Sequence, residues 1–156
     1  MLDTPVMLAT QAIRAAVIRL NAHPKDMPEV MDPAFPELLK ALAAQGVAAT
    51  GPVFSHFFKM TPELFEFEIG VPVAVDVQPT GRVEPGQLPE ATVMQTIYYG
   101  PYEGLPAAWG QFDRLVEEAG YQKLDEFWEE YIYGPESSPD PATWRTRLNR
   151  LVNGQG

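Results

Sequence analysis

Two periods organise the apolar residues of this chain. Leu105, Ala108, Trp109, Phe112, Leu115, Val116 and Ala119 recur at steps of three and four, so an amphipathic helix is expected over residues 102–119, stopped by Gly120. An earlier helix carries Phe35, Leu38, Leu39 and Leu42 at the same spacing. It starts near Asp32-Pro33 and ends at Gly46, with Pro36 leaving its first turn open. Elsewhere the period shortens to two or the run turns β-branched. Two strands fall within residues 4–20, the second over 13–20, and others over 53–59, 64–69, 73–77, 91–98, 126–133 and 144–152. Residues 21–27, 51–52, 60–63 and 134–141 read as turns or loops. Residues 78–90 read as a central linker, and the last few residues, 153–156, as a frayed end.

Displacing the chain by 74 positions superimposes the two halves: Leu20 falls on Met94, Phe35 on Trp109, Leu38 on Phe112, Leu42 on Val116, Gly46 on Gly120, Phe54 on Trp128 and Phe57 on Tyr131. Apolar residues stay apolar and the helix-ending glycine recurs. The pattern predicts an α+β fold built from a duplicated strand–helix–strand–strand unit, its antiparallel strands covered by helices on one face. The halves span about residues 4–77 and 91–152 of a single domain.

Composition narrows the chemistry. The chain has no cysteine, which removes thiolate nucleophiles, disulfides and Cys-type zinc sites. His23 and His56 are its only histidines, which argues against a His-based metal centre or a Ser-His-Asp triad, and no cofactor is implied. Eleven basic residues face twenty-one acidic ones, a formal charge of −10. Nucleic-acid binders displace counterions with a basic patch, so direct nucleic-acid binding is not expected. The net charge suits cationic partners; it equally serves solubility. No apolar run nears the roughly 18–20 residues of a membrane span. Without a basic and then apolar leader at the N-terminus, a cytoplasmic location is expected.

The halves differ most in polarity where a site could form. Ser55 and Phe57 stand where the second half has Glu129 and Tyr131. If Trp128 and Ile132 face the helices, Glu129, Tyr131 and Tyr133 point to the uncovered face, and a carboxylate among aromatic rings suits a lipophilic cation. The same alternation also describes an ordinary solvated strand face. Strict alternation puts Glu130 on the core side, where a bulge, an edge position or a partnered buried acid would each account for it; a buried acid could act as a general acid. Trp109 lies on the helix stripe and reads as core, and Glu66 and Glu68 as a surface pair. Tyr98, Tyr99 and Tyr102 cluster at the bend between strand and helix.

The run Gly100-Pro101-Tyr102-Glu103 before an amphipathic helix, then Trp128-Glu129-Glu130-Tyr131, Asp140-Pro141 and Trp144-Arg145-Thr146, resembles the GyrI-like small-molecule-binding domain. Gly51-Pro52 and Glu68-Ile69-Gly70-Val71-Pro72-Val73 extend the resemblance over nearly the whole chain. That domain is the effector-binding module of AraC- and MerR-type multidrug-responsive regulators and of the gyrase inhibitory protein. The resemblance implies a groove between the halves, an acid contacting lipophilic cations, and a monomer or homodimer. It places Glu129 as charge partner, with Tyr131, Tyr99, Tyr102, Trp144 and Tyr133 as aromatic contacts and Glu130 beside them. A stand-alone protein that senses or sequesters an aromatic, cationic compound is expected. Two alternatives accompany it. One is a hydrolase of a reactive small molecule, such as a cyclopropane-bearing one, with Glu129, or else Glu130, as the catalytic base. The other is a protein-interaction inhibitor. The sequence departs from the family pattern at Tyr98, where histidine is frequent, and at Arg147, where an acid is frequent.

Overall fold

The computed structural model describes residues 1–153; of the frayed end expected at 153–156, Asn153 bonds Gln122 through backbone and side chain, and residues 154–156 lie outside the described residues. The chain forms two compact units, residues 11–90 and residues 1–10 with the chain from residue 91 onward.

In the first unit, strands β2 (Ile13–Ala22), β3 (Phe54–Met60), β4 (Phe65–Pro72) and β5 (Val83–Leu88) lie in the antiparallel order β3-β4-β2-β5. Helix α1 (Met27–Gln45) buries Ala34, Leu38 and Leu42. It begins earlier than the Asp32-Pro33 start read from the sequence. Pro28 stands in the first turn, where its missing donor would have been unpaired in any case. Pro33 and Pro36 lie inside the helix and each removes one backbone bond. Burial of the apolar face offsets that loss, since helices in proteins draw most of their stability from packing. Gly46, at φ 67°, is the left-handed stop. Gly70 continues β4 rather than interrupting it, because its lack of a Cβ admits the Phe54 ring and the Ala16 carbonyl. The strand expected over 73–77 is absent; β4 ends at Pro72, and Val73 makes a single bridge to Ala49. The stretch 78–90, expected as a linker, carries β5.

The second unit repeats the arrangement. Strands β1 (Val6–Ala9), β6 (Thr92–Tyr99), β7 (Lys123–Tyr133) and β8 (Arg145–Val152) follow the order β7-β8-β6-β1, so each unit runs through its strands in the same sequence. Helix α2 (Leu105–Glu118) covers one face. Its Leu105, Ala108, Phe112 and Val116 close a core with Met94 and Tyr98 of β6 and with Leu148 and Val152 of β8. The buried faces of the two helices match at three positions, Ala34, Leu38 and Leu42 being buried where Ala108, Phe112 and Val116 are. The fold is α+β, a duplicated strand–helix–strand–strand unit. Among the described residues, no helix is long and apolar enough to cross a membrane.

Candidate functional site

The site grows out of the alternation along β7. Its phase is opposite to the expectation that Trp128 and Ile132 face the helix. Phe127 packs on Trp109 of α2 at 4.6 Å between ring centroids, so Phe127, Glu129 and Tyr131 lie on the covered face. Trp128 and Glu130 lie on the other. A register shift between Tyr131 and Tyr133 then breaks the alternation. Tyr133 pairs with Arg145, whose guanidinium lies 5.5 Å from its ring. Tyr133 therefore leaves the face that Glu129 and Tyr131 share.

Glu129 is 8% exposed. Its Oε2 accepts a hydrogen bond from the Trp109 indole N–H at 2.6 Å, and its Oε1 contacts the Tyr131 hydroxyl at 2.7 Å. Burial pushes the carboxyl above its usual 4.5, and these two hydrogen bonds oppose the rise. Among the described residues, no basic nitrogen lies within salt-bridge distance of it. Trp109 is held in turn by Phe112 and by Arg150, whose guanidinium lies 5.2 Å above the indole and 4.6 Å above Phe127. Asp113, one turn along α2, fixes Arg150 through two hydrogen bonds of 3.1 and 3.0 Å.

An aromatic wall continues from Tyr131. Tyr102 meets it edge-on at 5.6 Å and tilts against Trp144 at 5.0 Å. Trp144 is anchored by its indole N–H, which donates to the Ser138 carbonyl at 2.9 Å. The Tyr102 hydroxyl and the Glu136 carboxylate sit where a Cβ on Gly134 would project, so a side chain there has to displace them. Burial and the charges of Glu136 and Glu129 push the Tyr102 phenol upward. Thr146, fully buried and opposite Tyr131 in the ladder, has a hydroxyl with no hydrogen-bond partner among the described residues.

Tyr98, the first departure from the family pattern, supports the bend. Its hydroxyl donates to the Pro101 carbonyl at 2.9 Å and fills the space left by Gly100 and Gly104, with Gly100 at φ 141°. Arg147, the second departure, bonds Glu130 at 3.0 Å instead of Glu129. Glu130 also accepts from Trp128 at 3.2 Å and from Asn149 at 3.0 Å, which makes it a partnered acid on the face away from α2. Of the expected site residues, Glu129, Tyr131, Tyr102 and Trp144 form one chain of contacts. Tyr99 stands apart: its hydroxyl donates to Asp3 at 3.0 Å and its ring lies 5.1 Å from Arg145.

Sequence reasoning left Trp109 in the core. The available signal was its indole N–H, which needs an acceptor once covered. Glu68, expected at the surface, is 9% exposed and shifted upward by burial, with Arg19 at 3.9 Å opposing. Among the described residues, no group of three or more metal-type ligands occurs.

The duplicated strand–helix–strand–strand frame is that of a small-molecule-binding class of domain. The chain belongs to the family of the GyrI-like small molecule binding domain, whose model matches residues 4–148. Among solved structures it resembles the EcmrR C-terminal domain at 21% identity, with 96% of each chain covered and a TM-score of 0.80. It spans 57% of the EcmrR chain in that regulator's complex with DNA. It also resembles a hydrolase from Listeria innocua (14% identity, 96% of this chain and 92% of that one, TM-score 0.67). A third likeness is SAV2435 bound to tetraphenylphosphonium (9% identity, 96% and 94%, TM-score 0.66). At these identities the likenesses carry the fold alone. No curated protein sequence matches the chain.

Proposed function

We propose that this protein binds lipophilic aromatic cations, as a sensing or sequestering module, with Glu129 as the charge partner and Tyr131, Tyr102, Trp144 and Trp109 as its aromatic surround. The observation that carries the reading is the enclosure of Glu129: an acid with neighbours that are rings and neutral donors attracts a cation able to bring apolar surface with it. Each ring face adds about 0.5–2 kcal/mol of cation–π attraction, according to how dry the contact is. A carboxylate out of water adds charge selectivity, because a neutral ligand of the same shape gains nothing from it. The binding of tetraphenylphosphonium by SAV2435, a protein of the same fold, supports this class of ligand.

The test is tryptophan quenching by tetraphenylphosphonium and by neutral triphenylphosphine oxide, in wild type and Glu129→Gln. Preference for the cation in wild type, lost in the variant, is the expected result. Equal response to both compounds refutes the charge role of Glu129. Conversion of an electrophilic ligand to product, abolished in Glu129→Gln, would replace binding with hydrolysis as the activity.

A further inference from the structure

We propose that the site exchanges a proton for its ligand: a lipophilic cation binds by replacing the proton carried by Glu129, and one proton leaves for each cation bound. This rests on the cation-binding reading above, and it concerns what occupies the acid before the ligand arrives.

The argument starts from donors and acceptors. A carboxylate withdrawn from water without a counter-cation is so costly that the group takes up a proton instead. Glu129 is 8% exposed, and Arg147 and Arg150 of the neighbouring strand β8 are committed elsewhere. Arg150 is neutralised by Asp113 at 3.0 Å and Arg147 by Glu130 at 3.0 Å. Tyr131 on its own strand and Trp109 from α2 contact Glu129, and behind Trp109 stands the Arg150–Asp113 pair. Tyr102 faces Glu129 from the turn before α2, with Glu136 near the Tyr102 phenol. The Arg150–Asp113 pair carries no net charge and Glu136 is itself an acid, so the set offers Glu129 no uncommitted cation.

The position of the proton follows from the same inventory. An indole nitrogen can only donate, so Oε2, 2.6 Å from the Trp109 nitrogen, is an acceptor in every state. The geometry favours a proton on Oε1, because its partner there is a phenol that can act in either direction. With the acid protonated, Oε1–H donates to the Tyr131 oxygen, the reverse of the bond the ionised acid makes, in which the Tyr131 hydroxyl donates to Oε1 at 2.7 Å. When a cation arrives, the acid proton passes to solvent, and the Tyr131 hydroxyl turns to donate to Oε1. The balance is closed: protonated Glu129 and a cation give an ion pair and one released proton. A neutral amine enters by another route, taking the Glu129 proton itself with no net release.

The exchange is read by titrating tetraphenylphosphonium into weakly buffered protein containing a pH indicator, from about pH 5 to about pH 8. Expected at the acid end is a release approaching one proton per bound cation, with affinity rising about tenfold per pH unit until release fades. Triphenylphosphine oxide releases nothing. Glu129→Gln abolishes release, whereas Glu130→Gln, on the other face, retains it. Selective cation binding with no proton released anywhere in this range overturns the exchange while leaving the cation-binding reading intact. Release that persists in Glu129→Gln assigns the proton elsewhere and also overturns it. A cation that does not bind at all refutes the cation-binding reading and the exchange together.

Discussion

Replacing Glu129 with glutamine separates the charge of this side chain from its shape. The amide oxygen can still accept from Trp109, and the amide nitrogen can donate to the Tyr131 oxygen, so both contacts survive without an ionisable group. Burial raises the wild-type carboxyl above 4.5 in the folded protein. The unfolded chain therefore releases this proton first as pH rises. The stability that Glu129 contributes is complete below the unfolded value and is lost as pH climbs through the folded one. Within that window wild type loses about 1.4 kcal/mol per pH unit from this group alone. For a chain of this size that is roughly 3–5 °C in Tm per pH unit. All other titrating groups are shared with the variant and cancel in the difference. Urea denaturation of both proteins at half-unit steps from about pH 4 to about pH 8 reads it directly. Glu129→Gln should gain on wild type steadily with pH and then level off. A difference that stays constant with pH would refute the enclosed, proton-holding acid.

Three further outcomes follow from the same geometry. Gly134→Ala pushes a methyl group into the Tyr102 hydroxyl, so tetraphenylphosphonium affinity measured by quenching should fall about 3- to 30-fold, about 0.7–2 kcal/mol of lost ring contact, while the fold persists. Tyr98→Phe keeps the buried ring but removes the bond to the Pro101 carbonyl, and should cost about 1 kcal/mol in urea denaturation. Asp113→Asn removes the charge that holds Arg150 against Trp109; a loss of about 1.5–3 kcal/mol is expected, together with a shift in tryptophan emission.

Much of this protein was legible from periodicity. The stripe from Leu105 to Ala119, its counterpart from Phe35 to Leu42, and the glycines at 46 and 120 marked two helices and their stops, because these signals act within one or two turns of chain. The repeat placed Ser55 opposite Glu129 and so pointed to the half that carries the polar groups. Local signals misjudged α1, where Pro33 and Pro36 argued for a later start and the buried face prevailed. They also missed β5, whose Pro85 and Gly86 resemble a linker until β2 lies beside them to supply backbone partners.

Period-two alternation states which residues of β7 share a face, and it set Glu129 and Tyr131 together correctly. It carries no information about which face meets the helix, since Trp128 and Phe127 are both apolar enough to face the core. Only the packing of Phe127 on Trp109 decided that, and with it that Glu129 is enclosed. Likewise, the partner of Arg147 is chosen by the register between β7 and β8, which sets it across from Glu130. The sequence by itself determined the elements, the duplication and the residues able to carry charge, because these depend on neighbours along the chain. The tertiary structure alone decided which acid is deprived of water, because burial depends on what arrives from elsewhere in the fold.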